Sequence, residues 1–91
     1  MNFEILYVDK VVKDDIPKIS TTFKRNIRHA IETKLTTEPS LYGKPLRNSL
    51  KGYYKLRVGD YRIVFRIESK KVKIFAIAHR KYIYDMVLKR I

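Results

Sequence analysis

The period of the apolar positions changes along the chain and predicts its elements. Residues 2–8 alternate, Phe3, Ile5 and Tyr7 against Glu4 and Leu6, as an opening strand does. Val8, Val11, Val12, Ile16 and Ile19 then share one helical face, with Asp9 as its cap and Pro17 making its end irregular. Ser20 or Thr21 starts a second helix with a stripe of Phe23, Ile27, Ala30, Ile31 and Leu35; Lys24, Arg25, Arg28 and Lys34 lie off the stripe. Residues 36–52 lose the period and contain Pro39, Gly43, Pro45 and Gly52, as a linker does; Leu41, Leu46 and Leu50 are expected to pin it down. Residues 53–58, 61–67 and 72–78 read as three strands, and residues 82–91 as a short closing helix with Ile83, Val87, Leu88 and Ile91 on one side. The expected architecture is one α+β domain over residues 1–91. An N-terminal strand and a two-helix hairpin pack on a small, mainly antiparallel sheet, and a short C-terminal helix ends the chain.

The two turns between the strands predict a register. Gly59-Asp60 has glycine at the first central position, as a type II′ hairpin requires, and Ser69-Lys70 joins the next pair with Glu68 opposite Lys71. Arg57 then faces Arg62, Arg66 faces Lys73, and Arg62 faces Ile77. Side chains alternate across a strand. One face therefore receives Tyr54, Leu56, Val58, Tyr61, Ile63, Phe65, Ile67, Val72, Ile74, Ala76 and Ala78, all uncharged, and should sit on the two helices. The other receives Tyr53, Lys55, Arg57, Arg62, Val64, Arg66, Lys73, Phe75, Ile77 and His79. A solvated sheet face usually mixes signs, because like charges directly opposite cost up to ~1 kcal/mol. Repeated pairing of cations with no carboxylate among them points to an anion as the missing partner.

Composition strengthens that reading. Among 91 residues, 21 are Lys or Arg and 9 are Asp or Glu, a formal net charge of +12. A small body so charged attracts polyanions, and nucleic acid is the leading partner class. No basic amphipathic helix with a wide apolar face supports a membrane surface instead. There is no cysteine, and His29 and His79 lack ligand partners at metal spacing, so neither a disulfide framework nor a metal or other cofactor is expected. The start, MNFEILYVDK, lacks the layout of a signal peptide, and no apolar run is long enough to span a bilayer; a cytoplasmic protein is expected.

The run FAIAHRKYIYD, from Phe75, ends an apolar strand on His79, Arg80 and Lys81 and returns with Tyr82 and Tyr84. In the register above, His79 joins the basic face and Tyr84 can return over it, giving a cluster of Lys55, Arg57, Arg62, His79, Arg80 and Tyr84. Lys44, Arg47, Lys51, Arg66, Lys73 and Lys81 surround it as contacts for an RNA backbone. RNA cleavage by its own 2′-OH needs a proton acceptor, charge stabilisation at phosphorus and help for the leaving oxygen. Arginines supply fixed charged forks for phosphate, a histidine titrates near neutrality, and Lys55 serves as base only where neighbouring cations favour its neutral form. Tyr84 can orient the phosphate, assist proton transfer or stack on a base. The plain alternatives are that His79 only ends a strand and that Tyr82 and Tyr84 only pack.

GYYKLRVGDYRIVFRI followed by FAIAHRKYIYD resembles the RelE/ParE superfamily of type II toxins, over nearly the whole chain. The RelE branch of that superfamily implies a ribosome-dependent endoribonuclease. It cleaves mRNA in the A site without a metal, by 2′-OH attack that leaves a cyclic or 3′-phosphate. The resemblance carries its two sheet lysines onto Lys55 and Arg57, its arginine after the turn onto Arg62, its arginine after the last strand onto Arg80 and its C-terminal tyrosine onto Tyr84. Arginine at position 57 and the absence of a carboxylate between Leu41 and Lys51 depart from the pattern; His79 suits a variant with histidine near the last strand. Also implied are an acidic or amphipathic RelB-like antitoxin, a monomeric free toxin and a hetero-oligomeric complex. The alternatives are a ParE-like inhibitor that binds DNA gyrase and a non-catalytic basic RNA-binding module.

Overall fold

The computed structural model describes residues 2–91. Strand β1 (Glu4–Tyr7) leads into helix α1, residues 11–18, made of a π-type turn Val11–Asp15 and a 3-10 turn Ile16–Lys18. Asp9, expected as its cap, lies within the first helical turn. Helix α2 comprises Thr21–Ala30 and the wider turn Ile31–Leu35. The segment read as a linker holds a short helix α3 (Pro39–Tyr42), a two-residue strand β2 (Lys44–Pro45) and a 3-10 turn at Asn48–Leu50. Strands β3 (Tyr54–Val58), β4 (Tyr61–Glu68) and β5 (Lys71–His79) and helix α4 (Ile83–Arg90) complete the chain.

The five strands form one sheet in the order β1-β5-β4-β3-β2. β1 lies parallel to β5, and the other pairs are antiparallel. The expected pairing of β3 with β4 holds, Arg57 opposite Arg62 and Val58 opposite Tyr61. Gly59 has φ +59° while Asp60 is not in the left-handed region, as a II′ turn requires. The β4–β5 pairing also starts as expected, with Ile67 opposite Val72 and Arg66 opposite Lys73.

It then departs. A bulge puts Phe65 opposite Ile74 but Val64 opposite Ala76, so Phe75 has no partner and Arg62 faces Ala78 instead of Ile77. One extra residue exchanges the faces of everything beyond it. Ile77 joins the core beneath α1 and α2, with Val11, Ile27, Ile31, Leu35, Leu56, Ile63 and Phe65. Ala76 and Ala78, expected there, lie on the opposite face with Leu50, Val64, Ile83 and Val87. The sheet is therefore covered on both sides near its centre, and the face expected to be an open basic surface is partly a second core under α4. Each fully buried aliphatic side chain contributes ~1.5–3 kcal/mol. Burial of Ile83 and Val87 holds an eight-residue helix too short to persist alone.

The bulge leaves backbone groups of β5 without sheet partners, because β1 stops beside Ile74. Asp15 and Arg90 supply them. Asp15 Oδ2 accepts the Ile77 N–H at 3.0 Å, and Arg90 Nη1 donates to the Phe75 carbonyl at 3.1 Å. Arg90 also forks onto the Asp15 carboxylate, at 2.6 Å and 2.9 Å. That bond and the carboxylate's charge hold the Arg90 pKa above its ordinary value, against the opposing effect of burial. Asp15 is only 4% exposed, whereas Val12, expected on the buried face of α1, is 53% exposed. In the connecting segment Leu50 and Pro39 are buried, Leu46 packs on the second core and Leu41 is 68% exposed, contrary to expectation. Leu88 of α4 and Ile91 just after it also face solvent.

Candidate nucleic-acid interface

The edge of the sheet from β2 to β4, on the side covered by α4, brings the basic residues together. Cross-strand pairing sets Lys44 opposite Lys55 and Arg57 opposite Arg62. Both contacts join like charges on one face, and among the described residues none of the four enters an ion pair. Lys55 is half-buried because its neighbour across the strand is the buried Val64. Its ammonium Nζ donates to the Tyr84 hydroxyl at 2.8 Å and stands 5.6 Å from the centre of that ring. Tyr84 reaches it from the first turn of α4 and is 41% exposed. The hydroxyl and the ammonium thus share one hydrogen bond at an open edge.

Arg62 is braced by its turn: Nη1 donates to the carbonyls of Gly59, at 2.9 Å, and Tyr61, at 3.0 Å. That fixes the direction of the guanidinium and leaves its other donors for an anion. Arg80 follows β5, and its backbone N–H donates to the Asp60 carbonyl at 2.8 Å, which ties the post-strand turn to the hairpin. Arg80 and Lys81 are both exposed. Arg47 and Lys51 are exposed on the loop between β2 and β3.

Two expectations need correction. Arg66 and Lys73 do face one another, but Glu68 lies between them, 3.7 Å from Arg66 and 3.8 Å from Lys73, so this pair has its carboxylate. Arg66 also lies over the Tyr53 ring, at the end of the sheet away from Gly59. His79 does not join the basic face. The bulge sets it opposite Tyr61, whose ring is 5.9 Å away, on the side of α2. Its Nδ1 accepts the Lys81 N–H at 3.1 Å.

A groove of about 580 Å³ between α1 and α2, lined by Tyr7, Ile16, Ile27 and Ile31 among others, lies apart from these basic residues. Burial and the Glu32 carboxylate push the Tyr7 phenol up, with Arg28 opposing. Among the described residues, no cluster of three His, Cys, Asp or Glu is placed to hold a metal, and no helix is long and apolar enough to cross a membrane. The Asp15–Arg90 pair was missed from the sequence, although Asp15 interrupts an apolar helical face and Arg90 follows Ile83 and Val87 at helical spacing.

Residues 7–84 match the family of ParE toxins of type II toxin–antitoxin systems (parDE), and the chain belongs to that family. Within that family it is similar to RelE toxins. The Mycobacterium tuberculosis Toxin RelE is 44% identical over 54 residues, 57% of this chain and 56% of that one. Toxin RelG of the same organism is 42% identical over 52 residues, 55% of this chain and 60% of that one. The chain thus spans just over half the length of these curated relatives. The crystal structure of the toxin–antitoxin complex RelBE2 from M. tuberculosis matches with a TM-score of 0.81 at 27% identity, over 88% of this chain and 100% of the other. The fold is also that of a doubly substituted mutant of the Escherichia coli toxin RelE in the free state, with a TM-score of 0.76 at 17% identity, over 100% and 99% of the two chains.

Proposed function

We propose that this toxin, acting in the cytoplasm as a single domain, is a metal-independent, ribosome-dependent mRNA endonuclease. The observation that carries the reading is the 2.8 Å Lys55–Tyr84 hydrogen bond beside the unneutralised Arg57–Arg62 pair. In the proposed reaction the RNA 2′-oxygen attacks the adjacent phosphorus, and its proton passes to Lys55 reacting as the free amine, with the Tyr84 hydroxyl holding that nitrogen in place. The bond to the 5′-oxygen breaks, leaving a 2′,3′-cyclic phosphate, and that oxygen takes up a proton from water. Arg57 and Arg62 stabilise the added charge on the phosphate, and Arg80 the charge on the leaving oxygen. Lys44, Arg47, Lys51 and Lys81 hold the flanking backbone. Arg66 and Lys73, partly neutralised by Glu68, contribute less. His79 is left out of the proton path because its ring packs on Tyr61.

A cognate RelB-like antitoxin, acidic or amphipathic, is the proposed partner. The formal charge of +12 and the similarity to the toxin of the RelBE2 complex support it. The free toxin is taken as a monomer and its inhibited form as a hetero-oligomer.

Primer extension on mRNA in a purified translation system tests the proposal. Cuts inside codons are expected only with ribosomes and wild-type toxin, and are lost with Arg62→Ala. The family name keeps a second reading, inhibition of DNA gyrase by binding. Folded wild type that makes no cuts yet blocks supercoiling would favour it.

A further inference from the structure

The bulge at Phe75 does more than remove His79 from the basic face. It inserts the imidazole into a row of rings drawn from three elements and the turn before α4. Phe23 of α2 lies 5.1 Å from Tyr61 of β4, Tyr61 lies 5.9 Å from His79 of β5, and His79 lies 6.3 Å from Tyr82, which precedes α4. The row wraps the hairpin end of the sheet: Phe23 packs beside Gly59, and the turn holding Tyr82 is tied to Asp60 through Arg80. Core packing explains Tyr61, but not the ends. Phe23 is 37% exposed and Tyr82 is 62% exposed. Exposed cations precede the Tyr82 end of the row, Arg80 and Lys81 in the turn that holds Tyr82.

Aromatic faces among cations, at the rim of a backbone-binding surface, fit unpaired nucleic-acid bases. Every base offers a face for stacking, and the cations draw in its phosphate. We propose that the row Phe23–Tyr61–His79–Tyr82 is a stacking platform for unpaired RNA bases flanking the phosphate held near Arg80. Tyr82 carries the contact, and His79 and Tyr61 back it. A peptide would use the exposed apolar rings but has no need of the cations beside Tyr82. The identity of the occupant as RNA rests on the nuclease reading; the geometry of the row does not.

The test is fluorescence anisotropy at low salt with two short single-stranded oligoribonucleotides, 2′-O-methylated so that they cannot be cut. One carries all its bases and the other has abasic positions at its centre. Wild type should prefer the base-bearing strand. Tyr82→Leu should weaken that strand by about fivefold or more and leave the abasic strand unchanged, and Tyr82→Trp should retain the preference. Circular dichroism confirms that the exposed substitution leaves the fold intact. Equal loss on both strands, no loss on either, or a wild type indifferent to bases would overturn the platform; with the last result, a protein partner is the remaining occupant for the rings. The assay is blind to cleavage. Base-dependent binding without ribosomal cuts would sink the nuclease reading and leave the platform standing.

Discussion

The Asp15–Arg90 pair invites the sharpest test of how this fold holds its site. Replacing Arg90 with methionine keeps most of the apolar stem and removes the guanidinium. The Asp15 carboxylate, 4% exposed, would then keep only the Ile77 N–H as a bonded partner. Breaking a buried pair by removing one member costs ~3–5 kcal/mol, because the remaining charge stays buried without compensation. The Phe75 carbonyl loses its donor as well. For a domain of this size 1 kcal/mol moves Tm by ~4–8 °C, so Arg90→Met should lower Tm by well over ~10 °C. Removing the charge from the other side distinguishes the buried pair from simple loss of packing. In Asp15→Asn/Arg90→Met the amide oxygen can still accept the Ile77 N–H and no charge is left unpaired. The double variant should therefore be more stable than Arg90→Met alone, with a coupling energy above ~1 kcal/mol. Urea denaturation of the four proteins of the cycle measures this. A single Arg90→Met variant within ~1 kcal/mol of wild type, or a coupling energy near zero, would refute the reasoning. Because α4 also carries Tyr84, amides of residues 83–91 should lose hydrogen-exchange protection first, and activity should fall although no residue of the basic edge has been substituted.

The other predictions concern the site and the turns. Tyr84→Phe keeps the ring against Lys55 but removes the hydroxyl; ribosomal cleavage should slow by ~10²-fold with a far smaller change in RNA affinity, and equal losses in both would reduce Tyr84 to a binding residue. Ser69 sits at φ +57°, a region that costs a side chain ~1–2 kcal/mol. Ser69→Gly should therefore raise Tm, whereas Gly59→Ala, at φ +59°, should lower it; thermal melts with the opposite order would contradict the turn assignment. At Gly43 the limit is space rather than conformation, since an added methyl would meet the Phe65 ring at 2.5 Å. Gly43→Ala should cost ~1–3 kcal/mol by overpacking, as denaturant unfolding would report.

Sequence alone determined most of the local structure. Alternation placed β3, β4 and β5, helical spacing placed α2, and Gly59-Asp60 paired Arg57 with Arg62, because a tight turn dictates the register beside it. That Lys55 and Tyr84 belong to one cluster was legible from the resemblance and from the helix returning over the sheet; that they share a hydrogen bond was not. The faces of β5 beyond Ile74 were not. The run IFAIA is apolar at every position, so alternation cannot say which residue is skipped. The tertiary structure decided it by burying Ile77 under α1 and α2, Ala76 and Ala78 under α4, and by satisfying the bulge with Asp15 and Arg90. The same step moved His79 from the basic face to Tyr61. Strand β2 and the parallel pairing of β1 with β5 likewise needed the assembled sheet, since two residues of strand or a distant parallel neighbour leave no period to read. Turns are written in adjacent residues. A bulge is chosen by what the layers above and below can bury, and those layers come from opposite ends of the chain.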